Sequence, residues 1–105
     1  MKKPRWDLAP FREIEEVVKV ITFGAKKYAP DDWKRPENHA QKHFAAACRH
    51  LSAIGQDEKV DEESGLPHAA HAICRLLFFM WHERKKFKKI KNPKKNHRRR
   101  ISEIC

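Results

Sequence analysis

The chain has 105 residues, 40% of them hydrophobic and 36% charged, which suits one small domain with a modest core. Lys and Arg number 24 against 14 Asp and Glu, a formal net charge of +10, and no apolar run approaches the roughly 20 residues of a membrane span. Residues 1–7 lack the apolar stretch of a signal peptide. The three glycines are too few for a β-sandwich or a Rossmann-type phosphate loop. The three cysteines, with Cys48 and Cys74 inside apolar helical patterns, predict a reducing cytoplasm and no disulfide scaffold.

The first helix is expected to open at Asp7-Leu8-Ala9-Pro10, where a proline in the first turn loses no hydrogen bond. Glu13, Glu15 and Glu16 match the positive end of its dipole, and Lys26 and Lys27 the negative end. Ile14, Val17, Val18, Ile21, Ala25 and Tyr28 recur at helical steps and predict the buried face. Gly24 costs about 1 kcal/mol in a helix relative to alanine, and is expected to mark a close helix contact. Residues 29–37 read as a loop ended by turn residues.

The second helix is predicted over 37–54, with Ala40, Phe44, Ala47, Cys48, Leu51 and Ile54 as its buried stripe and Gly55 as its C-cap. Its alanines imply a close neighbour. Residues 55–67 form an acidic loop carrying Asp57, Glu58, Asp61, Glu62 and Glu63. The third helix opens at Ser64-Gly65-Leu66-Pro67 and is apolar nearly all round, which makes it the expected central helix.

The expected fold is therefore all-α: a compact bundle of three to four helices over residues 1–85, oligomeric because so apolar a third helix leaves surface to cover. Between positions 84 and 100 stand eleven Lys and Arg and no Asp or Glu, interrupted by Asn92-Pro93. Residues 86–105 are read as a basic, partly disordered tail suited to a polyanion such as nucleic acid.

The polar residues on these helices are the informative ones. His68, His71 and Arg75 share one face of the third helix, and His43 and His50 share one face of the second, with Arg49 beside them. Glu15 and Glu16 add carboxylates from the first helix, and Asp61 and Glu63 lead into the histidine helix. Carboxylate oxygens suit Mg²⁺ and Mn²⁺, and imidazole is accepted by Mn²⁺ and softer ions. Arg5, Lys26, Lys27 and Arg49 offer positive charge to a phosphate chain, and Trp6, Tyr28 and Trp33 offer flat surface to a base. Serine and cysteine nucleophile arrangements are weak, since no nucleophile elbow is present.

Five stretches carry a resemblance: Lys3-Pro4-Arg5-Trp6-Asp7-Leu8; residues 15–28, from Glu15-Glu16 to Lys26-Lys27-Tyr28; Asp32-Trp33; Arg49-His50-Leu51; and Asp61-Glu62-Glu63-Ser64-Gly65-Leu66-Pro67-His68-Ala69-Ala70-His71-Ala72. In this order they resemble the phage dATP/dGTP diphosphohydrolase N-terminal domain family, related to MazG-like all-α nucleotide pyrophosphohydrolases. The resemblance implies a helical homo-oligomer in the (host) cytoplasm that uses Mg²⁺ or Mn²⁺. It implies hydrolysis of purine deoxynucleoside triphosphates to monophosphate and pyrophosphate. Glu15, Glu16, His50, Asp61, Glu63, His68 and His71 become the implied metal and water-activating set, with Glu16 or Glu63 orienting the attacking water. Lys26, Lys27 and Arg49 become implied phosphate contacts, and Arg5, Asp7 and Trp33 contacts to the nucleotide end. Two departures stand out. Lys19 occupies the place of a third carboxylate, and His68/His71 that of an acid pair. The alternatives are another metal phosphohydrolase, or a non-enzymatic nucleic-acid-binding protein acting through the tail.

Overall fold

The computed structural model describes residues 3–90, with side chains through Lys86. In chain order it contains a 3-10 turn (Trp6–Leu8), α1 (Phe11–Lys27), a second 3-10 turn (Asp32–Lys34), α2 (Ala40–Gly55) and α3 (His68–Ile90). No strand occurs among the described residues, only an isolated bridge between Val60 and Pro67. The fold is all-α, with three helices among the described residues. α3 packs against both α1 and α2 and is the central helix. The reading of a basic tail falls, beyond Ile90, outside the described residues.

Helix boundaries sit close to the turn chemistry. Pro10 precedes α1 as its N-cap, and the Tyr28 N–H closes the helix on the Gly24 carbonyl at 2.9 Å. Gln56, not Gly55, is the C-cap of α2, where its N–H reaches the carbonyls of Ser52 and Ala53. The acidic loop closes on itself before α3. Asp61 N–H donates to the Leu66 carbonyl, Gly65 N–H to the Asp61 carbonyl and His68 N–H to the Lys59 carbonyl, at 2.9, 2.8 and 2.9 Å. Gly65 has φ 74°, a left-handed conformation that glycine adopts without steric cost.

The faces of the helices differ from the periodic reading. On α1 the buried residues are Val17 and Val20, whereas Ile14, Val18 and Tyr28 are exposed. On α2 the buried residues are His43, Ala46 and Ala47, while Phe44, Cys48, Leu51 and Ile54 face out. The physical reason is the size of the contact. Ala46 and Ala47 let α2 approach α3 closely, and histidines fill the rest of the seam. Phe44, Cys48, Leu51 and Ile54 follow the same helical period on the opposite side. Val17, Val20, Ala70, Cys74 and Phe78 form the core between α1 and α3, with Ile21, Trp33 and Leu66 packed against it. Gly24 marks no close contact: a Cβ there meets nothing within 4 Å.

Candidate metal centre and cleft

The seam between α2 and α3 is a ladder of polar rings. His43 is 1% exposed, and its two ring nitrogens have different partners. Arg75 Nη1 donates to Nδ1 at 3.0 Å, so the ring proton sits on Nε2, which donates to the Trp33 carbonyl at 3.1 Å. His82 Nε2 donates to the same carbonyl at 2.8 Å. The Trp33 ring stacks on Phe78 with centroids 4.0 Å apart and planes 6° apart, and meets Trp81 edge-on at 5.2 Å. Loop 28–39 is thereby pinned across the helices by one indole and its carbonyl.

Further along the seam, His50 Nδ1 lies 2.8 Å from His68 Nδ1. One of the two nitrogens must carry the proton and the other a lone pair. Glu58 Oε1, 3.4 Å from His68 Nε2, favours the proton on that nitrogen and leaves His68 Nδ1 as the lone pair. His71 stacks on His50 with centroids 4.5 Å apart. Burial, reinforced by the neighbouring His71 and His68, pushes the pKa of His50 down from 6.5 to about 4. Burial also lowers that of His71, against the pull of Asp61. The rings of His50 and His71 are neutral at pH 7.

The acidic loop delivers Asp61 to this end. Its Oδ2 accepts the Ser64 N–H at 2.9 Å and the Ser64 hydroxyl at 3.1 Å. Ser64 Oγ in turn accepts from Leu66 N–H at 3.1 Å and from His71 Nε2 at 2.7 Å, which uses all of its hydrogen-bonding capacity. Burial raises the pKa of Asp61, but the two Ser64 hydrogen bonds, with His71 and His50 close by, outweigh it and hold the carboxyl below its ordinary value. One ligand atom each from His50, Asp61 and His68 lies within 4.8 Å of the others.

His50, Asp61 and His71 line one end of a cleft of about 480 Å³, a size ordinary for a small-molecule site, with His68 behind His50. α1 forms a wall with Val20, Gly24 and Lys27, and the loop supplies Asp31, Asp32, Trp33 and Asn38. Four carboxylates line it, Asp31, Asp32, Asp61 and Glu63, against two cations, Lys27 and Arg75. Lys27 Nζ is already paired with Glu63, at 2.6 Å.

The family model described as dATP/dGTP diphosphohydrolase, N-terminal, matches residues 1–92. The chain belongs to this family. A protein of Salmonella phage PMBT28 named dATP/dGTP diphosphohydrolase is 34% identical over 70 residues, which is 67% of this chain and 23% of the phage protein. The chain therefore corresponds to less than a quarter of that relative's length. No solved structure matches.

Of the family-implied residues, the fold gathers His50, Asp61, His68, His71, Glu63, Lys27 and Trp33 around the cleft or its histidine end. Glu15, Glu16, Lys26, Arg49, Arg5 and Asp7 do not line it. Glu15 is exposed and Glu16 bonds to Lys19 at 2.9 Å. Arg5 and Asp7 pair with one another on the exposed 3-10 turn at 2.9 Å, and Lys26 and Arg49 are exposed. Sequence reasoning missed Ser64, His82 and the Asp31, Asp32 and Asn38 rim. The spacing of Asp61 and Ser64 is a turn signal that was available; the role of the Trp33 carbonyl is invisible in any side-chain pattern. Cys48 is exposed rather than a core residue, whereas Cys74 is buried and its thiol is pushed up to about 11 by burial.

Proposed function

We propose that this cleft binds a purine deoxynucleoside triphosphate with a divalent cation and hydrolyses it to the monophosphate and pyrophosphate. The observation that carries the reading is the His50, Asp61 and His68 cluster at the end of a cleft whose lining is acidic. A triphosphate is repelled by such a lining unless a cation accompanies it. The donor set fits the group: the Nδ1 atoms of His50 and His68 face each other, so that a cation could take both lone pairs once the His50 proton moves to its Nε2, and the Asp61 carboxylate is held ionised. Imidazoles favour Mn²⁺ or a softer divalent ion over Mg²⁺.

His50, Asp61 and His68 would hold the ion, with Glu58 and Ser64 orienting His68 and Asp61. When bound there, the ion would supply charge neutralisation on the phosphoryl oxygens and a lowered pKa for water. Glu63, at the rim beside Lys27, orients the attacking water and takes its proton. Water's oxygen bonds to the α-phosphorus, and the bond from that phosphorus to the bridging oxygen of the β-phosphoryl group breaks. Pyrophosphate leaves with the electron pair, and Lys27 meets its charge. Trp33 bounds the nucleoside end. The chain acts as a homo-oligomer, which covers the outward apolar faces of α2 and α3.

The test is product analysis. Purified protein with Mn²⁺ or Mg²⁺ and each common nucleoside triphosphate is expected to release monophosphate and pyrophosphate from dATP or dGTP, and to stop on adding chelator. Release of orthophosphate alone, or no turnover by folded protein with either metal, overturns the reading.

A further inference from the structure

Arg75 is the cation that the fold leaves uncommitted in the cleft. It is half-buried and lines the cleft from α3. Among the described residues no carboxylate pairs with it, and the side-chain hydrogen bond it makes is to His43 Nδ1, at 3.0 Å. That partner is a neutral acceptor, so the positive charge is not compensated. A guanidinium has five N–H donors in a planar fork, and this contact occupies only one of them. The contact is also rigid. His43 is buried and locked in one tautomer by the Trp33 carbonyl, which is itself held by the Trp33 stack on Phe78.

Keeping an unpaired charge half-buried costs stability unless something compensates it. The other cations expected to meet phosphate are differently placed. Lys27 is neutralised by Glu63, and Lys26 and Arg49 do not line the cleft. Arg75 follows His71 by one helical turn, about 6 Å along the axis. It therefore stands between the His50/Asp61/His68 end and the Trp33 end, where a chain of phosphoryl groups reaching from one to the other passes.

We infer that Arg75 binds the phosphate chain as it enters the cleft, its fork held open toward the ligand by His43 and the Trp33 carbonyl, while Lys27 is freed from Glu63 only as the pyrophosphate leaves. The inference rests on the proposed triphosphate site, but it can be tested without turnover. The probe is inorganic tripolyphosphate, titrated calorimetrically into the full chain with and without Mn²⁺. Wild type is expected to bind it. Arg75→Met is expected to bind about 10- to 100-fold more weakly, the worth of a charge-assisted hydrogen bond, while remaining folded by circular dichroism with only the modest fall in melting temperature that loss of the buried His43 bond brings. Arg75→Lys, which keeps the charge and loses the fork, is expected to recover part of the affinity.

Binding by Arg75→Met within twofold of wild type overturns the inference, as does wild type that binds no tripolyphosphate under either condition. A fall in melting temperature with affinity retained also overturns it, since Arg75 would then serve the fold. If wild type binds tripolyphosphate through Arg75 but turns over no nucleotide, the inference stands and the proposed reaction fails. If nucleotide is turned over equally by wild type and Arg75→Met, the reaction stands and the inference fails.

Discussion

At the level of single residues, the cleft is built from histidines kept neutral by burial. The sign of their effect on stability follows. The pKa of His50 lies at about 4 in the folded chain against 6.5 ordinarily. Between those values the unfolded chain binds a proton that the folded chain refuses. Stability is therefore full above about pH 6.5 and falls as pH drops toward 4, by up to about 1.4 kcal/mol per pH unit for each such proton. His43 and His71 are shifted the same way and steepen the loss. Urea denaturation at pH 7.5 and 5.0 is expected to show a lower midpoint at the lower pH, reduced in effect by His50→Gln. Gly24 gives a second prediction. Its added Cβ would meet no atom, so Gly24→Ala is expected to stabilise α1 by up to about 1 kcal/mol, read as a raised melting temperature. The glycine lines the cleft, and the same methyl group would occupy space there.

Among the elements, the helices were legible in the sequence but their orientation was not. Pro10, Pro30, Gly65 and Pro67 punctuate the chain near its helix ends, and the acidic stretch before His68 announced a loop. The apolar period on α2, however, selected Phe44, Cys48, Leu51 and Ile54, which lie on the outside. The true seam is made of alanines and histidines, and neither scores as strongly apolar. His50, Asp61 and His68 entered as a metal set through the family resemblance; helical spacing marked only the polar histidine faces of α2 and α3, and Asp61 lies on the loop between them. Arg75 was seen beside them without its role, since the pairing that matters joins it to His43 across the seam. Ala47 is 0% exposed where α2 meets α3, so Ala47→Leu is expected to force the helices apart and cost about 1–3 kcal/mol. Chemical denaturation measures it; a stability equal to wild type would mean that the seam is looser than its alanines imply.

For the whole molecule, three helices leave much apolar surface uncovered. Leu51 on α2 is 52% exposed and Met80 on α3 is 63% exposed, with Ile73 and Leu77 also open. An exposed apolar area of this kind normally marks an interaction surface, and a homo-oligomer is the proposed occupant. Light scattering is expected to give more than one chain per particle, reduced toward monomer by Leu51→Lys with Met80→Lys. A monomeric wild type at micromolar concentration would refute it. The proposed hydrolysis requires above all that the cluster at the end of the cleft be a divalent metal centre. Mn²⁺ titration followed by electron paramagnetic resonance, on wild type and on folded Asp61→Asn and His68→Ala, addresses that point. Saturable binding by wild type and its loss in both variants is the predicted result; equal binding by all three proteins, or none by wild type, would contradict the account.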